Sequence, residues 1–370
     1  MHFCCIHRLD WACLLVNEQL GLKYRYLQLR QPEFQKRLRF RSEFLRKIRD
    51  YLCEDRGCPR IHRSITTTRI YTKSTLAYAW PEVSMKRYGS DKPDVRFDME
   101  LENSGCGESE QFAFFVIPAG YAKVLSKPFF SKMLSLVVEK DALSLSVLPY
   151  DKVKSIDEVK AAGLSHLKPG EIAILANGTD HPWRKALGTA RVLTAKELDS
   201  KGVQIYKPGF FFHWVENFPL FSKNEIGDFV SEHHPFTAPV ESEVDLLYTE
   251  PAMVHGQHYD LVCNGQEVGG GSLRIHRSDM QRYVLEHILH EDVTPLRHLL
   301  EALSFGAPPH GGIALGLDRL IAIFTNAQTV RDVIAFPKTA GGRDLLSNSP
   351  DTVPNTELDR YFIRVLRDKE

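Results

Sequence analysis

Residues 258–276, HYDLVCNGQEVGGGSLRIH, contain the clearest β-hairpin signal of the 370-residue chain. The Asn-Gly dipeptide at 264–265 separates two runs of strand-forming residues and favours a two-residue turn. A turn there sets Asp260 opposite Gly269. Because side chains alternate along a strand, Asp260 and Glu267 then share one face, roughly 7–8 Å apart.

Two carboxylates at that separation repel one another unless a cation lies between them. Mg²⁺ usually takes one or two carboxylates together with substrate phosphates. Asp260 and Glu267 are therefore candidate Mg²⁺ ligands. A solvated hairpin face explains two acids alone equally well.

The glycines at 269–271 leave the strand beside Glu267 without side chains, which lets a ligand approach the backbone closely. By strict alternation Arg274 would face away from Glu267. We predict a β-bulge at the glycines that turns Arg274 back to the face of Glu267.

A second stretch, GAPPHGGIALGLDRLIAIF at residues 306–324, predicts a glycine-lined strand over 312–315. The chain should turn at Gly316 into a helix that begins near Leu317. Arg319 then lies in the first helical turn, where free N–H groups and the helix dipole favour anions and a guanidinium adds bidentate recognition of phosphate. An ordinary strand-to-helix turn with a solvated arginine is the alternative. Together the two stretches predict a nucleotide bound on an antiparallel sheet.

Within the second stretch, GGIALGLDR at 311–319 resembles the third signature motif of the class II aminoacyl-tRNA synthetases. HHPFTAP at 233–239, the 258–276 hairpin and RDVIAFPK at 331–338 extend this resemblance to the bacterial-type aspartyl-tRNA synthetases. LLYTEP and LLSNSPDTVP make the chain most similar to the animal mitochondrial members of that family.

The resemblance covers roughly residues 21–60 and 81–370 and is continuous after about Phe210. It implies an α+β fold, in which the antiparallel sheet of the class II synthetases is flanked by helices and interrupted by a small α/β insertion domain. The implied parts are a remnant of the N-terminal region over 1–20, the N-terminal part of the catalytic domain over 21–107, the insertion domain over 108–209 and the C-terminal part of the catalytic domain over 210–370.

The resemblance also implies roles for individual residues. Asp260 and Glu267 would bind Mg²⁺-ATP, with Gly316, Leu317, Asp318 and Arg319 on the nucleotide and with His233 and Arg274 on L-aspartate. Glu267 and Arg319 are the candidate catalytic residues. A buried arginine fork pairs with a carboxylate and leaves an amide half-paired, so Arg274 favours aspartate over asparagine as substrate.

Residues 21–56 form the most basic part of the chain, and Pro32 is well placed to start an amphipathic helix there. A solvated charged face is the simpler interpretation of this helix, and direct RNA contact is the alternative. By resemblance, residues 33–56 are the long helix of the first motif, through which the family forms a homodimer. FRSE at 40–43 imitates the second motif, but it lies inside this helix and we do not assign it that role.

Residues 57–80 depart from the family. The second motif, whose arginine grips the α-phosphate of ATP, belongs in this region and is missing, which indicates an internal deletion. Loss of one such donor typically costs about 10²–10³ in rate, so loss of several could abolish measurable turnover. We expect a chain that descends from aspartate–tRNA ligases and that could be inactive or unstable as written.

Two further functions remain open. One is a non-catalytic subunit that pairs with an intact synthetase through the first-motif helix. The other is a ligase similar to the ammonia-dependent asparagine synthetase, which shares this fold without an anticodon domain. The retained insertion domain argues against the asparagine synthetase, because that enzyme resembles the synthetase core alone.

The composition, with 43% hydrophobic and 25% charged residues, is that of a globular protein of two or three domains. A net charge of zero neither requires nor excludes a nucleic-acid partner, and by resemblance that partner is tRNA(Asp). The seven cysteines show no CxxC pair, which argues against a zinc site or a disulfide framework. We expect no membrane segment, since no apolar run reaches the ~18–20 residues of a membrane span.

Residues 1–20 contain one arginine and two acids, which is poor support for a transit peptide. The resemblance nevertheless favours the mitochondrial matrix, with the cytoplasm as the alternative.

Local patterns predict the remaining elements. FFFHWVENFPLF at 210–221 is typical of one aromatic strand, RDVIAFPK contains an apolar strand, and a helix from Asp279 to Ser304 should break just before Pro295. In the insertion, the predicted strands are QFAFFVI, ALSLSVL and EIAILAN, and the predicted helices are FFSKMLSLVVEK, IDEVKAAGL and a segment ending at Gly202. His181 and Trp183 should be packing or turn residues.

Overall fold

The computed structural model describes residues 18–55, 77–79, 81–103, 112–138, 144–153, 164–177, 182–224 and 226–365. The chain forms two compact units, one over Ser64–Leu315 and one made of the two terminal segments Met1–Arg63 and Gly316–Glu370. Most of the predicted deletion near 57–80, most of the helix predicted over 156–164, residues 1–17 and His181 lie outside the described residues.

The unit Ser64–Leu315 contains all eleven strands of the described residues. They are β1 (Ala77–Ala79), β2 (Glu102–Asn103), β3 (Phe112–Ile117), β4 (Ser144–Pro149), β5 (Ile172–Asn177), β6 (Phe212–Glu216), β7 (Phe221–Lys223), β8 (Phe229–Ser231), β9 (His258–Cys263), β10 (Gln266–Leu273) and β11 (Gly311–Leu315). The strands form a five-stranded sheet β1-β6-β9-β10-β11, a four-stranded sheet β2-β3-β5-β4 and the pair β7-β8. In the five-stranded sheet only β1 pairs in parallel, so the antiparallel sheet and the α+β class predicted above are confirmed.

The described helices of this unit are mostly short. They are α4 (Pro81–Tyr88), α5 (Ala119–Ala122), α6 (Lys127–Val138), α7 (Tyr150–Val153), α8 (Pro182–Ser200), α9 (Leu246–Thr249), α10 (Ser278–Tyr283) and α11 (Arg297–Ser304). A π-helical turn at Val284–Ile288 and a 3₁₀ turn at Thr294–Leu296 separate α10 from α11, so the predicted break before Pro295 is confirmed.

The predicted hairpin forms between β9 and β10. Asn264 and Gly265 both have positive φ, 51° and 79°, as the predicted two-residue turn requires. The register shifts between Glu267 and Gly269, so the predicted bulge forms, with Val268 as the extra residue immediately before the glycines. Because the bulge adds one residue to β10, Asp260 pairs with Gly270, and the predicted pairing of Asp260 with Gly269 is wrong.

Two glycines of β10 are needed for packing within the sheet, and not only for the approach of a ligand. A Cβ on Gly271 would lie 1.9 Å from the carbonyl oxygen of Gly312, and one on Gly269 would lie 2.8 Å from the side chain of Leu315. Because these positions have no side chain, the glycine-lined strand β11 can pack closely against β10.

The aromatic stretch at 210–221 is not one strand as predicted. β6 ends at Glu216, Asn217 takes a positive φ of 65°, and β7 begins at Phe221. Asparagine tolerates the left-handed conformation, so a single residue breaks a run that is mostly apolar.

The predicted insertion, residues 108–209, contributes α6, α8 and three strands of the four-stranded sheet, and the fourth strand, β2, lies before it. The predicted strands and the helix α6 are confirmed, and Gly202 follows α8 with a positive φ of 80°. Its core packs around Trp183, which is 3% exposed, and this cluster also takes in Phe97 and Ile205. Trp183 is therefore a packing residue, as predicted.

The unit made of the terminal segments contains the predicted basic helix. Its helices are α1 (Glu18–Lys23), α2 (Arg25–Gln28), α3 (Pro32–Asp50), α12 (Leu317–Phe324) and α13 (Asn355–Arg360), with a π-helical turn at Tyr51–Asp55. Pro32 is the first residue of α3, and FRSE lies within this helix, as predicted. Aromatic contacts join Phe40 and Phe44 of α3 to Phe324 of α12.

RDVIAFPK does not form the predicted strand. A capping box between Thr329 and Asp332 starts a 3₁₀ turn at Val330–Val333 instead. The buried guanidinium of Arg25 then donates to the carbonyl oxygens of Arg331, Ile334 and Ala335 at 2.7–2.9 Å. These carbonyls are therefore unavailable for a strand ladder.

Throughout the described ranges, each helix is either too short or too polar to cross a bilayer.

Candidate active site

The two predicted acidic residues converge on one face of the five-stranded sheet. Glu267 pairs with Val262, and Asp260 pairs with Gly270 on the same face. A Cβ on Gly270 would lie 2.8 Å from Oδ1 of Asp260 and 3.5 Å from Oε1 of Glu267. The absence of a side chain at Gly270 is therefore what lets the two carboxylates lean toward each other.

Asp260 is the more deeply buried of the two acids, at 4% exposed. Burial, followed by the charge of Glu267, raises the pKa of Asp260. A buried carboxylate beside a second carboxylate is unfavourable without a positive charge nearby, and Lys92 supplies such a charge here. His233 and Lys92 both act to lower the pKa of Asp260.

Lys92 supplies a positive charge beside Glu267. Its Nζ lies 3.2 Å from Oε2 of Glu267 and 3.4 Å from a carboxylate oxygen of Asp91. Burial lowers the pKa of Lys92, but the two carboxylates outweigh burial and the pKa lies above its ordinary value. The ammonium group is therefore charged at neutral pH.

The loop that carries Lys92 is held by the insertion helix α8. The guanidinium of Arg191 is 1% exposed and donates to the carbonyl oxygens of Asp94, Phe97, Asp98 and Met99 at 2.9–3.2 Å. It also lies 3.9 Å from the ring centroid of Phe97. Burial lowers the pKa of Arg191 to about 10, so the group keeps its charge at neutral pH.

Two glycines bring α8 into backbone contact with this loop. A Cβ on Gly188 would lie 2.2 Å from the carbonyl oxygen of Gly89, and one on Gly89 would lie 2.2 Å from that of Arg184. On the other side, Asp94 packs against the hairpin turn, since a Cβ on Gly265 would lie 2.9 Å from Cβ of Asp94. The loop is thus clamped between the insertion helix and the hairpin of the two acids.

Arg274 follows β10 on the face of the two acids, because the bulge shifts the alternation by one residue. It lies four positions after Gly270, about 13 Å along an extended strand. Its Nη1 lies 2.9 Å from Nδ1 of His234 and also contacts Nε2 of that ring. Burial, followed by the charge of Arg274, lowers the pKa of His234, which favours a neutral ring that can accept a hydrogen bond.

His233 lies in a cluster of rings near Asp260. Its ring centroid is 4.4 Å from that of His258, which stacks on Phe218 at 4.7 Å. His258 is 4% exposed, and neither of its ring nitrogens has a hydrogen-bond partner. Burial, then His233 and His234, lower the pKa of His258 to about 3, so this ring is neutral.

A cavity of about 310 Å³ borders the backbone where Arg274 leaves the sheet. Arg274 itself lines it, together with Leu273, Gln257 and His310, and neither of the two acids does. The cavity therefore borders Arg274 but does not reach the two carboxylates.

The remaining predicted nucleotide-binding residues belong to the unit of the terminal segments. Gly316 caps α12, and Leu317, Asp318 and Arg319 form its first turn, as predicted. Arg319 is exposed there. Asp318 forms an ion pair with Arg41 of α3. Arg41 belongs to the FRSE segment, so this segment contacts the third-motif helix although it is not a second motif.

The acid pair fits Mg²⁺ in one particular way. In the described ranges, no three or more His, Cys, Asp or Glu side chains are grouped to hold a metal ion. Asp260 and Glu267 supply two hard oxygen donors, and Mg²⁺ commonly completes such a set with water and substrate phosphates. The donors therefore suit a cation that arrives with a nucleotide.

Sequence reasoning missed Lys92 and His234. Lys92 lies in WPEVSMKRYGSDKPDVRF, far from the hairpin in sequence, and no spacing rule predicts its contact with Glu267. His234 was adjacent to the chosen His233, and only the fold shows which ring touches Arg274.

Known proteins are similar to this chain over most of its length. The family model for class II tRNA synthetases (D, K and N) matches residues 61–340. The mitochondrial aspartate–tRNA ligase of Rattus norvegicus is 33% identical over 468 aligned positions, covering 94% of this chain and 72% of the relative. The aspartate–tRNA(Asp/Asn) ligase of Opitutus terrae is 38% identical over 314 positions, covering 76% of this chain and 52% of the relative.

Among solved structures, a putative aspartyl-tRNA synthetase from Leishmania major covers 88% of this chain and 69% of its own, with a TM-score of 0.41 and 18% identity. The alignment with the rat relative has more positions than this chain has residues, so the relative contains segments that are absent here. The family match and the two ligase relatives agree. This chain belongs to the class II tRNA synthetases and, within them, to the aspartate–tRNA ligases.

Proposed function

We propose that this chain binds ATP with Mg²⁺ and L-aspartate on the sheet face of Asp260, Glu267 and Arg274, and that it activates aspartate at a strongly reduced rate. The observation that supports this most is the convergence of the two carboxylates over Gly270 on the face to which the bulge turns Arg274. A cation-binding end and a carboxylate-binding end then share one strand.

Asp260 and Glu267 would hold Mg²⁺, which when bound supplies positive charge at the phosphates of ATP. The reaction needs no nucleophile from the protein, because the carboxylate of aspartate itself attacks the phosphate. Joining a carboxylate to a phosphate requires mainly positioning and charge stabilisation, which fixed side chains provide.

Arg274 would bind the side-chain carboxylate of aspartate. Its contact with the ring of His234 orients the guanidinium before substrate arrives. His233, whose ring packs against buried His258, would hold the same substrate from the neighbouring side. A guanidinium that is partly buried discriminates against asparagine, because an amide cannot accept both of its hydrogen bonds.

Gly316, Leu317, Asp318 and Arg319 would bind the nucleotide through the first turn of α12. The exposed N-terminal turn and its arginine are suited to phosphate. The ion pair of Asp318 with Arg41 supports an additional role for this turn, in which α3 holds the start of α12 in place.

The reduced rate follows from the missing second motif. The rat relative contains segments that this chain lacks, which supports an internal deletion. The arginine that would grip the reacting phosphate has no counterpart in the sequence. Each lost donor of this kind typically costs about 10²–10³ in rate.

Aspartate-dependent exchange of pyrophosphate into ATP tests this function. We expect aspartate and Mg²⁺-ATP to bind, as seen by calorimetry, while exchange stays near the level of Arg319→Ala. Exchange far above that variant would show that the second motif is dispensable. A folded, monodisperse chain that binds neither ligand would refute the proposed site.

By resemblance, tRNA(Asp) is the further partner, residues 33–56 are the homodimer interface and the mitochondrial matrix is the location. The described part of the interface helix exposes Phe40 and Tyr51, which supports contact with a second chain. Light scattering coupled to size exclusion should give a dimer. A monomer at micromolar concentration would contradict this interface.

The missing second motif favours one other candidate, a non-catalytic subunit that pairs with an intact synthetase through α3. Mixing the two proteins should then give a heterodimer of intermediate mass. Absence of that species would eliminate this candidate.

A further inference from the structure

Lys92 lies beside the two acids, where a positive charge offsets their mutual repulsion. Its ammonium group contacts Oε2 of Glu267 at 3.2 Å, and the other oxygen of that carboxylate, Oε1, faces the space above Gly270 that Asp260 also faces. Asp91 is the second partner of the ammonium group, at 3.4 Å. Lys92 thus lies in a cluster with the carboxylates of Asp91, Glu267 and Asp260.

The position of Lys92 is set by packing and is not that of an ordinary surface lysine. Arg191 binds four carbonyl oxygens of the following loop, and Gly89 is in backbone contact with α8. Ser84 donates to the carbonyl oxygen of Ser90 at 2.6 Å, so the loop is also tied to α4 two residues before Lys92. The insertion helix therefore delivers a positive charge to the acid pair.

The side chain of Lys92 can nevertheless leave Glu267 while the loop stays in place. It is 37% exposed, and a lysine carries its charge on a flexible four-carbon stem. A divalent cation that uses Glu267 as a ligand must compete with this ammonium for the same oxygen. Metal binding would then be an exchange of one cation for another.

We propose that Lys92 is a built-in counter-ion of the acid pair, which neutralises Glu267 in the metal-free protein and is displaced when a divalent cation binds. This inference rests on the proposed function, in which Asp260 and Glu267 hold the metal. Lys92 thus weakens the binding of free metal, and it favours a cation that brings phosphates, since the released ammonium gains a new anionic partner. It competes with the metal for Glu267 and takes no part in the reaction itself.

Binding of Mn²⁺ to the full chain without nucleotide tests this, with electron paramagnetic resonance to count free Mn²⁺. Lys92→Met removes the charge and keeps an unbranched side chain. We expect this variant to bind Mn²⁺ about ten times more tightly than wild type, because a positive charge beside the metal is lost. Lys92→Arg should stay close to wild type.

Two controls separate the possible failures. Lys86→Met removes a nearby exposed charge from α4 and should leave the Mn²⁺ affinity unchanged. Adding Glu267→Gln to the Lys92→Met variant should abolish its Mn²⁺ binding. If Glu267→Gln abolishes binding but Lys92→Met binds no more tightly than wild type, the counter-ion role is wrong and the metal site stands. If Mn²⁺ binding ignores Glu267→Gln, the proposed metal site itself is wrong, and this inference goes with it.

Discussion

At the scale of single residues, Arg274 depends on its neighbours more than on its own strand. The guanidinium is partly buried, which lowers its pKa, and it lies against a neutral histidine. The neutral ring of His234 adds no second positive charge beside the guanidinium. The arrangement leaves an oriented cation that can pair with an incoming carboxylate.

Substitution of Arg274 tests that role. Arg274→Lys keeps the charge but loses the planar fork, so aspartate binding should weaken by about 10-fold to 100-fold, the range expected for hydrogen bonds to charged groups. Isothermal titration with aspartate measures the change. Arg277→Lys is the matched control, since Arg277 is exposed and paired with Asp279, and it should change little. An unchanged affinity in Arg274→Lys would assign the aspartate carboxylate to another residue.

The sequence predicted the site residues unevenly. Asp260 and Glu267 could be placed on one face because an Asn-Gly turn sets the pairing of a hairpin. Lys92 and His234 could not, since their contacts join segments that are brought together only by tertiary packing. The choice between His233 and His234 likewise depends on the turn that precedes Thr237, and alternation says nothing about such a turn.

At the scale of elements, α8 is the part of the insertion that matters most to the site. It holds the loop of Lys92 through one buried arginine and one close backbone approach. A substitution at either contact should measurably lower the free energy of unfolding.

Arg191→Met should destabilise the chain by roughly 2–4 kcal/mol, because four carbonyl oxygens lose a buried charged donor. Urea denaturation followed by circular dichroism measures this. Arg87→Met is the control, since that arginine is half exposed and pairs with Glu100, and exposed pairs contribute about 0–1 kcal/mol. Equal losses in the two variants would mean that the Arg191 contacts contribute little.

Gly188→Ala should also be destabilising, by about 1–3 kcal/mol, since overpacking forces the backbones of α8 and the loop apart. Gly120→Ala provides the comparison, because nothing lies within 4 Å of a Cβ at this helical position. That change should be neutral or stabilising by about 0.4–1 kcal/mol. Thermal melts of the two variants should therefore move in opposite directions, and a shift of Gly188→Ala upward would contradict the contact.

Element types followed from sequence where one signal dominated. The insertion strands are short runs rich in apolar and strand-forming residues, and Gly202 follows α8. The break at Asn217 was missed because the surrounding aromatic residues mask a single left-handed residue. The turn at Val330–Val333 had a signal, the Thr329–Asp332 capping-box spacing, but the apolar letters after it suggested a strand.

At the scale of the whole molecule, the two units differ in how the chain builds them. Ser64–Leu315 is one continuous segment, whereas the other unit needs both ends of the chain. A continuous segment that contains its own sheets and cores can fold without the rest.

We therefore expect a fragment of residues 64–315 to fold alone and to unfold cooperatively. Far-ultraviolet circular dichroism and a single sigmoidal melt would establish this. A second fragment, residues 316–370, is the control and should remain unfolded, because Ile321 and Val333 pack with Phe44 from the other terminal segment. A molten 64–315 fragment would show that this unit depends on the terminal segments.

The bulge between Glu267 and Gly269 gives the hairpin a property that can be stated as parity. Arg274 lies seven positions after Glu267, an odd interval, so in a regular strand the two side chains would point to opposite faces. One extra residue converts odd spacing into a shared face. Deletion of Val268 should therefore remove the bulge and leave Gly270 and Arg274 on the face of Glu267, because the shortened interval of six positions is even and needs no bulge. In a strand with two charged groups for one ligand, an odd interval is thus itself a sign that a bulge lies between them.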